Sequence, residues 1–503
     1  MNNPFRADVL ALDVSTTELV IAVRDAEGRE DYAATAMRGG TEWLGDSRFP
    51  GFELAEVPRM LGDLLSKLQA KGWDFRCGPA EDRRVSVSCR QHDQVLLDRN
   101  GKPLMPALSW QCNAAGDDVA ELRKLGVERS TGTIEPRFVL PKTRYVLRTD
   151  ESLRDKIGTV FMTGDWIAYE LTGERTLSTS DALSNGLLEQ QDRKLAADAI
   201  RAAGLNVEWF PGPVQSGHDV GRVLQPAGDA SEDWNRVRAL LAGWRFVAGL
   251  GDNHASAVGC GMSDDYKTMV VSGGTSGTIN LACPAHAKLP ASGKSLRFEF
   301  YGDSLLLLQM LGDCGAWYQR FLSSFAAGYQ HDLDYLNMQA MASDLRAARR
   351  VLHSDSKHAE TFPPSWAGAS LGEQVAWTQM SIVLELLLLV KRMLDEIREA
   401  GEPIPETFVL TGGLSQSLFI QQVFHAGISC VAPGKAVKVS GRTGPLRYKT
   451  SAYGALINAA LPRFHGRLAE LHAAGNQFPL IDCARADVVN LACLQYLLRS
   501  YGL

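Results

Sequence analysis

An α/β fold built twice is predicted for this chain, on three observations. Apolar, β-like runs each end in a turn rich in hydroxyls and glycine, at residues 10–23 (LALDVSTTELVIAV), 269–281 (MVVSGGTSGTINL) and 408–424 (FVLTGGLSQSLFIQQVF). Two of these runs read as strand–turn–strand, one opening each half. The chain has 503 residues, too many for one hydrophobic core, so two large domains or a few smaller ones are expected. A duplicated α/β architecture with a cleft between the halves follows.

The opening reads as strands at 9–12 and 19–24, with a second turn at Asp25-Ala26-Glu27-Gly28. Met60, Leu61, Leu64, Leu65 and Leu68 keep helical spacing, and Gly72 ends that helix. Strands are expected at 85–87 and 95–97, with an Asn100-Gly101 turn after the second. Residues 111–243 are more polar and irregular, with clear helix pieces such as 163–171. A strand at 246–250 runs into GDNHASAVGCG, a glycine-flanked start of a small-residue helix. The domain boundary is placed there, giving domains 1–261 and 262–503. Ser370-x-x-Glu373 is a capping box that opens a long helix, and Gly401 stops it. At 1.5 Å per residue that helix is about 45 Å long. A strand at 408–410 feeds the third glycine turn and a further helix, and the tail 461–503 reads as a terminal helix pair.

Composition excludes several classes. Hydrophobic residues at 45% and charged residues at 22% are ordinary for a globular protein. A net charge of −6 with no basic tract argues against nucleic acid. The start has no apolar signal core behind a basic segment, and the longest apolar stretch, 382–390, is interrupted by Glu385. A bilayer span needs about 20 apolar residues, so no membrane partner is expected. Nine scattered cysteines without a CxxC pair fit reduced thiols in a cytoplasm. Ten histidines without HxH or HxxxH spacing argue against a transition-metal site.

The turns carry the chemistry. Asp13, at a strand end beside Thr16 and Thr17, can order a magnesium ion through its waters while turn N–H groups hold phosphates; the same letters also make an ordinary hairpin turn. Ser272-Gly273-Gly274-Thr275-Ser276-Gly277 lets backbone approach a ligand, or is a flexible hairpin loop. Thr411-Gly412-Gly413-Leu414-Ser415-Gln416-Ser417 joins a strand to a helix start, the floor of a nucleotide site or a plain βα turn. Asp252 follows a strand at a helix N-terminus, where the dipole would hold its pKa low. It can still take a proton from a hydroxyl, although by spacing alone a helix cap is favoured. His92 can bond a substrate hydroxyl and Trp110 can pack on a sugar face; either residue also fits an ordinary core or surface.

Taken in order, these motifs resemble the FGGY-type carbohydrate kinases, relatives of glycerol kinase and xylulokinase in the actin-like ATPase superfamily, over residues 9–460. The opening turn is similar to that family's Asp-x-Gly-Thr-Thr, and Gly251-Asp252-Asn253-His254-Ala255 to its catalytic aspartate segment. Gly274-Thr275-Ser276 resembles its second phosphate motif. Gly412-Gly413 with Gln416, Ser417 and Gln422 resembles its adenosine motif, closed by Tyr453-Gly454-Ala455-Leu456. Met162-Thr163-Gly164-Asp165-Trp166 through Leu171-Thr172-Gly173-Glu174 follows its D-x-L/I … L-T-G-E run.

The resemblance implies two ribonuclease-H-like (actin-like ATPase) domains with a central cleft, the first for sugar and the first phosphate motif, the second for nucleotide. It implies ATP-dependent phosphorylation of a small ketose or polyol with Mg2+, Asp252 as general base and Asp13 placing the metal. Thr16, Thr17, Gly274, Thr275 and Ser276 would hold phosphates, Gly412, Gly413, Gln416 and Ser417 the nucleoside, and Arg90, Gln91, His92, Trp110 and Asn253 the substrate. A homodimer is compatible with it. Ser15 stands where the family has glycine, and Glu18 adds a negative charge beside the phosphates. The family's Ser-Gly-Gln-x-His-Gly reads Ser88-Cys89-Arg90-Gln91-His92-Asp93, and its Trp-x-Asp-x-Arg reads Trp110-Gln111-Cys112-Asn113-Ala114. Ser15, Glu18 and the altered 110–114 segment keep open a member that binds without turnover; a second alternative, an actin-like ATPase module that moves a partner, is opposed by the sugar-type N-terminal half with its His92 and Trp110 segments.

Overall fold

A computed structural model describes residues 5–45, 47–76, 82–228, 230–274, 276–290, 292–329, 332–343, 368–440, 445–446, 449–464, 467–473, 480–483, 494–496, 498–499 and 502–503. Two compact units emerge. The first comprises Met1–Gly259, Arg297–Ser304 and Gly444–Gln477; the second comprises Cys260–Leu296, Leu305–Thr443 and Phe478–Leu503. The single boundary placed after 261 therefore misses two later stretches that return to the first unit. The larger return is explained by the helix Thr450–Ala460, which is buried along its whole length.

The first unit is organised by strands β1 (Val9–Val14), β2 (Glu18–Arg24), β3 (Glu30–Ala36), β4 (Arg84–Cys89), β5 (Asp219–Arg222) and β6 (Arg245–Gly251), in the order β5-β6-β4-β1-β2-β3. β1–β2 and β2–β3 are antiparallel, whereas β1–β4 and β4–β6 are parallel. β1, β4 and β6 are almost wholly buried, as strands covered on both faces are. Register sets Asp13 opposite Ser88, and Cys89 opposite both Val14 and Gly251. The carboxyl ends of three parallel strands thus finish in one row, the usual place for a ligand in an open α/β sheet.

The second unit repeats this wiring. Its strands are β7 (Thr268–Gly273), β8 (Gly277–Pro284), β9 (Ser304–Leu311), β10 (Thr407–Thr411), β11 (Ala436–Ser440) and β12 (Leu480–Asp482), in the order β9-β8-β7-β10-β11-β12. β7–β8 is the antiparallel hairpin, β7–β10 and β10–β11 are parallel, and β12 closes antiparallel on β11. Helix Glu56–Ala70 precedes β4 as helix Leu371–Glu399 precedes β10. The long helix begins at the expected capping box: Ser370 Oγ accepts from the Glu373 N–H and Glu373 returns a bond to the Ser370 N–H.

The stretch 111–243 holds the helix Thr163–Thr172 where one was expected, and further helices at Gly116–Lys124, Val139–Thr149 and Glu232–Leu241. One expectation fails. The tail is not a plain helix pair, because Leu480–Asp482 joins the second sheet as an edge strand; most of residues 484–501 lie outside the described residues. No described helix is long and apolar enough to cross a membrane.

Helix Thr450–Ala460 crosses helix Asp252–Gly259 at contact distance, and two glycines permit it. A Cβ on Gly454 would sit 1.7 Å from the Ala255 carbonyl oxygen, and one on Gly259 would sit 2.1 Å from that of Thr450. Both obstacles are backbone, so neither can swing aside. Gly454→Ala is therefore expected to cost about 3 kcal/mol or more. Gly116→Ala, where nothing lies within 4 Å, is expected to be neutral. Thermal melts of the two variants check this, and equal midpoints would contradict the close crossing.

Candidate functional site

In the first unit the row of strand ends gathers two carboxylates. Asp13 closes β1 and is 3% exposed. Its Oδ2 accepts a hydrogen bond from Ser451 at 2.8 Å, while Oδ1 has no hydrogen-bond partner. Burial pushes Asp13 up to about 6, opposed by the Ser451 and Ser88 hydroxyls and raised further by Glu18. Asp252 follows β6, two strands away, at the first position of the helix Asp252–Gly259. Strand spacing puts the two backbones about 10 Å apart.

The low pKa expected for Asp252 from the helix dipole does not hold. Burial, followed by repulsion from Asp13, pushes it up to about 7, outweighing the 2.8 Å bond it accepts from the Asn253 N–H. One shielded backbone N–H cannot offset desolvation beside a second carboxylate. The N-cap role favoured by spacing is not seen either, since Asp252 is itself the first helical residue.

The opening turn resolves both of its departures. The Ser15 hydroxyl donates to the Glu18 carbonyl at 2.9 Å and accepts from the Glu18 N–H at 3.2 Å, so it folds back on the turn. Glu18 forms an ion pair with Lys449, which offsets its charge. Thr16 Oγ1 accepts from the Trp110 indole at 3.0 Å and keeps its own proton to donate; Thr17 is exposed.

The 88–93 segment is tied down by buried polar groups. Asn185 donates to the carbonyls of Gln91 and Asp181, both at 2.7 Å, and its Oδ1 accepts from the Val139 N–H at 3.0 Å. That oxygen faces His92 Nδ1 at 3.1 Å, so His92 carries its proton on Nδ1 and offers Nε2 as an acceptor. The ring stacks on Phe138 and is held neutral, burial lowering it to about 3. Gln91 Nε2 donates to His254 Nδ1 at 2.9 Å, and His254 Nε2–H donates to the Glu299 carbonyl at 3.2 Å. Gln91 thus braces the helix that bears Asp252 and Asn253. Asp93 accepts the Trp110 N–H at 2.8 Å, linking the His92 and Trp110 segments.

The second unit holds a cavity of about 450 Å³. Gly273, Gly274, Gly413, Gln416 and Ser417 line one side, and Gly315, Tyr318, Asn337 and Gln379 line the other. Gly412 lies just behind with φ +82°, and a Cβ there would sit 2.7 Å from the Gly273 backbone, so only glycine fits. Ser417 caps the helix Leu418–Val431 and donates to Gln379 Oε1 at 3.2 Å. Gln379 Nε2 then donates to Tyr318 at 3.1 Å and to Asn337 at 3.0 Å. Ser276 is half-buried at the foot of β8, and Thr275 lies outside the described residues.

The structure therefore gathers Asp13, Thr16, Arg90, Gln91, His92, Trp110, Asp252 and Asn253 about the strand ends of the first unit. It gathers Gly274, Gly412, Gly413, Gln416 and Ser417 about one cavity of the second. Sequence reading missed Ser451, Lys449 and Asn185 in the first unit, and Tyr318, Asn337 and Gln379 in the second. Ser451 adjoins the noted Tyr453–Leu456 run; the amides carry no local signature. Among the described residues no group of three or more His, Cys, Asp or Glu side chains could hold a metal ion.

The raised Asp252 sets a stability signature. Its folded value is about 7 against an ordinary 3.8, so between those values the folded chain keeps a proton that the unfolded chain has lost. Its contribution therefore falls as pH rises through that window. Asp252→Asn removes the penalty, and its melting point should exceed that of the parent by more at pH 8 than at pH 5. Asp252 is partly exposed, so the gain is at most about 3 kcal/mol. A gap independent of pH in calorimetry would contradict the raised value.

Residues 76–259 match the family model "FGGY family of carbohydrate kinases, N-terminal domain". A xylulose kinase from Klebsiella pneumoniae is 30% identical over 201 residues, 38% of this chain and 39% of that protein. An autoinducer-2 kinase from Salmonella choleraesuis is 24% identical over 297 residues, 55% of this chain and 52% of that protein. The aligned part is thus about half or less of each curated relative's length. The crystal structure of xylulose kinase from Rhodospirillum rubrum superposes with TM-score 0.78 at 18% identity, over 98% of this chain and 97% of that one. This likeness gives the fold, two α/β units. Residues 76–259 are thus similar to the N-terminal domain of the FGGY family of carbohydrate kinases, and the row of strand-end carboxylates lies within or beside that matched part.

Proposed function

We propose that this chain transfers the γ-phosphoryl group of ATP to a hydroxyl of a small sugar or polyol, with Asp252 as the general base. The observation that carries the reading is Asp252 itself, held near 7 beside Asp13 at the end of a parallel strand row. A carboxylate poised near neutral pH is ionised in about half of the molecules there and is a stronger base than an ordinary carboxylate. The acceptor oxygen forms its bond to phosphorus as the bond to ADP breaks, and its proton passes to Asp252. Thr16 and the turn N–H groups align the phosphates, while His92 Nε2, Trp110 and Asn253 orient the acceptor; phosphoryl transfer asks mostly for such alignment.

Magnesium fits the donor set, because Asp13 Oδ1 is a buried carboxylate oxygen without a partner; Asp13 would hold the ion, with waters and phosphate oxygens completing an all-oxygen shell. Bound there, magnesium would neutralise phosphate charge. The cavity bounded by Gly274, Gly413, Gln416 and Ser417 suits the nucleoside, with the Gln379 amide at its polar wall. Cytoplasmic residence belongs to the same reading, as do the free cysteines among the described residues.

ADP release measured over a panel of ketoses, aldoses and polyols should depend on the acceptor. Hydrolysis of ATP without an acceptor would favour the ATPase module, and nucleotide binding without turnover on any acceptor would favour a binding-only protein. Asp252→Asn should keep nucleotide binding and lose about 10² to 10⁴ in kcat; full activity would move the base elsewhere. Gln379→Ala should weaken ATP binding about tenfold, or about 1.4 kcal/mol, and an unchanged Kd by calorimetry would remove the cavity from the nucleotide site.

A further inference from the structure

Glu18, the negative charge beside the opening turn, has a partner that can leave it. Asp13 lies near the end of β1 and the chain folds back at once: the Ser15 N–H donates to the Glu18 carbonyl at 2.9 Å, which puts Thr16 and Thr17 at the tip. Glu18 opens β2, and its carboxylate pairs with the Lys449 ammonium. Neither side chain is sealed in, at 20% exposure for Lys449 and 32% for Glu18. Lys449 also lies over the Tyr32 ring, but at 5.9 Å from the centroid, the outer limit of a cation–π contact. A partly exposed ion pair adds little to stability, so exchanging one partner costs little.

Lys449 acts on the strand-end carboxylate as well. Burial above all, and Glu18 after it, lift Asp13, while Lys449 pulls the other way. Asp13 Oδ1 is buried without a hydrogen-bond partner. Lys449 is the N-cap of the helix Thr450–Ala460, and no side chain caps the first-turn N–H groups there; that end of a helix favours an anion. From the same first turn Ser451 reaches Asp13. Arg90 and Lys142 lack such freedom: Arg90 is buried against Asp93, and Lys142 is buried and donates to the carbonyls of His92 and Ser109.

A triphosphate on the opening turn meets the charges of Asp13 and Glu18, and the transferred phosphoryl group needs a positive charge aimed at it. We propose that Lys449 supplies that charge: parked on Glu18 in the nucleotide-free chain, it moves to the γ-phosphoryl oxygens when ATP binds. This rests on the kinase reading above. A lysine suits the exchange, being a compact charge on a flexible four-carbon stem. Lys449 keeps its protons throughout; it donates hydrogen bonds to the phosphoryl oxygens while the bond to ADP breaks and the bond to the acceptor forms. Glu18 holds the ammonium ready and competes with ATP for it.

Calorimetry on the full chain with magnesium compares ATP with ADP, which lacks the transferred group. Lys449→Met should weaken ATP about tenfold and leave ADP within about twofold, with part of the loss recovered in Lys449→Arg. Glu18→Gln removes the competitor and should tighten ATP about threefold, a gain that vanishes when Lys449→Met is added. An ion pair that only braces the turn is broken by either substitution, so it would move both variants the same way. Shifts of the same sign, ATP and ADP affected equally, or a gain that survives in the double variant each overturn the inference; Lys449→Gln replaces Lys449→Met if the latter does not fold. ADP release over the acceptor panel separates the two readings, with a loss of about 10² in kcat expected for Lys449→Met. Undiminished turnover in that variant sinks this inference and leaves the kinase reading standing, whereas opposite shifts of the two variants with no ADP formed from any acceptor do the reverse. An unsubstituted chain that binds neither nucleotide overturns both.

Discussion

The crossing of two helices with no side chain between them governs the site in the first unit. Gly454 lies on the Ala255 carbonyl and Gly259 on that of Thr450, so the helices meet backbone to backbone. Three residues before Gly454, Ser451 reaches Asp13. About two turns before Gly259, Asp252 opens its helix at the end of β6. Tyr453 hydrogen-bonds Arg24 of β2, and Asn458 donates to Ser86 of β4 and to the Ala248 carbonyl of β6. One late helix therefore stitches strands from both ends of a long stretch of chain, and the carboxylates inherit their positions from it.

The electrostatics follow from that packing. Burial raises both Asp13 and Asp252, and Asp13 raises Asp252 further. Neutral His92 and His254, the Asn185 amide and the Lys142 ammonium are all held by backbone carbonyls or side-chain amides. The segment from Ser88 to Asp93 is rigid for this reason, and its chemistry is a matter of which protons remain to be given or accepted. Ser15 and Glu18, which look disruptive as letters, are each satisfied locally, by the turn itself and by Lys449.

Much of this architecture was legible in the chain. The hairpin at 9–24, the capping box at Ser370 and the glycine turns at 274 and 412 carry local signatures, because turn dihedrals and helix caps restrict residue type. What escaped were contacts between distant segments: Ser451 with Asp13, Gln379 with Ser417, Asn185 with His92. Amides and hydroxyls leave no periodic trace, and their partners are chosen by the fold.

The sequence by itself determined the two-fold α/β plan, the hydroxyl- and glycine-rich turns and the candidate acids Asp13 and Asp252, since strand pattern and glycine placement are short-range properties. Only tertiary structure decided the raised pKa of those acids and the return of residues 444–477 to the first unit. Burial and Coulomb interactions depend on which atoms become neighbours in space, and no spacing along the chain encodes that.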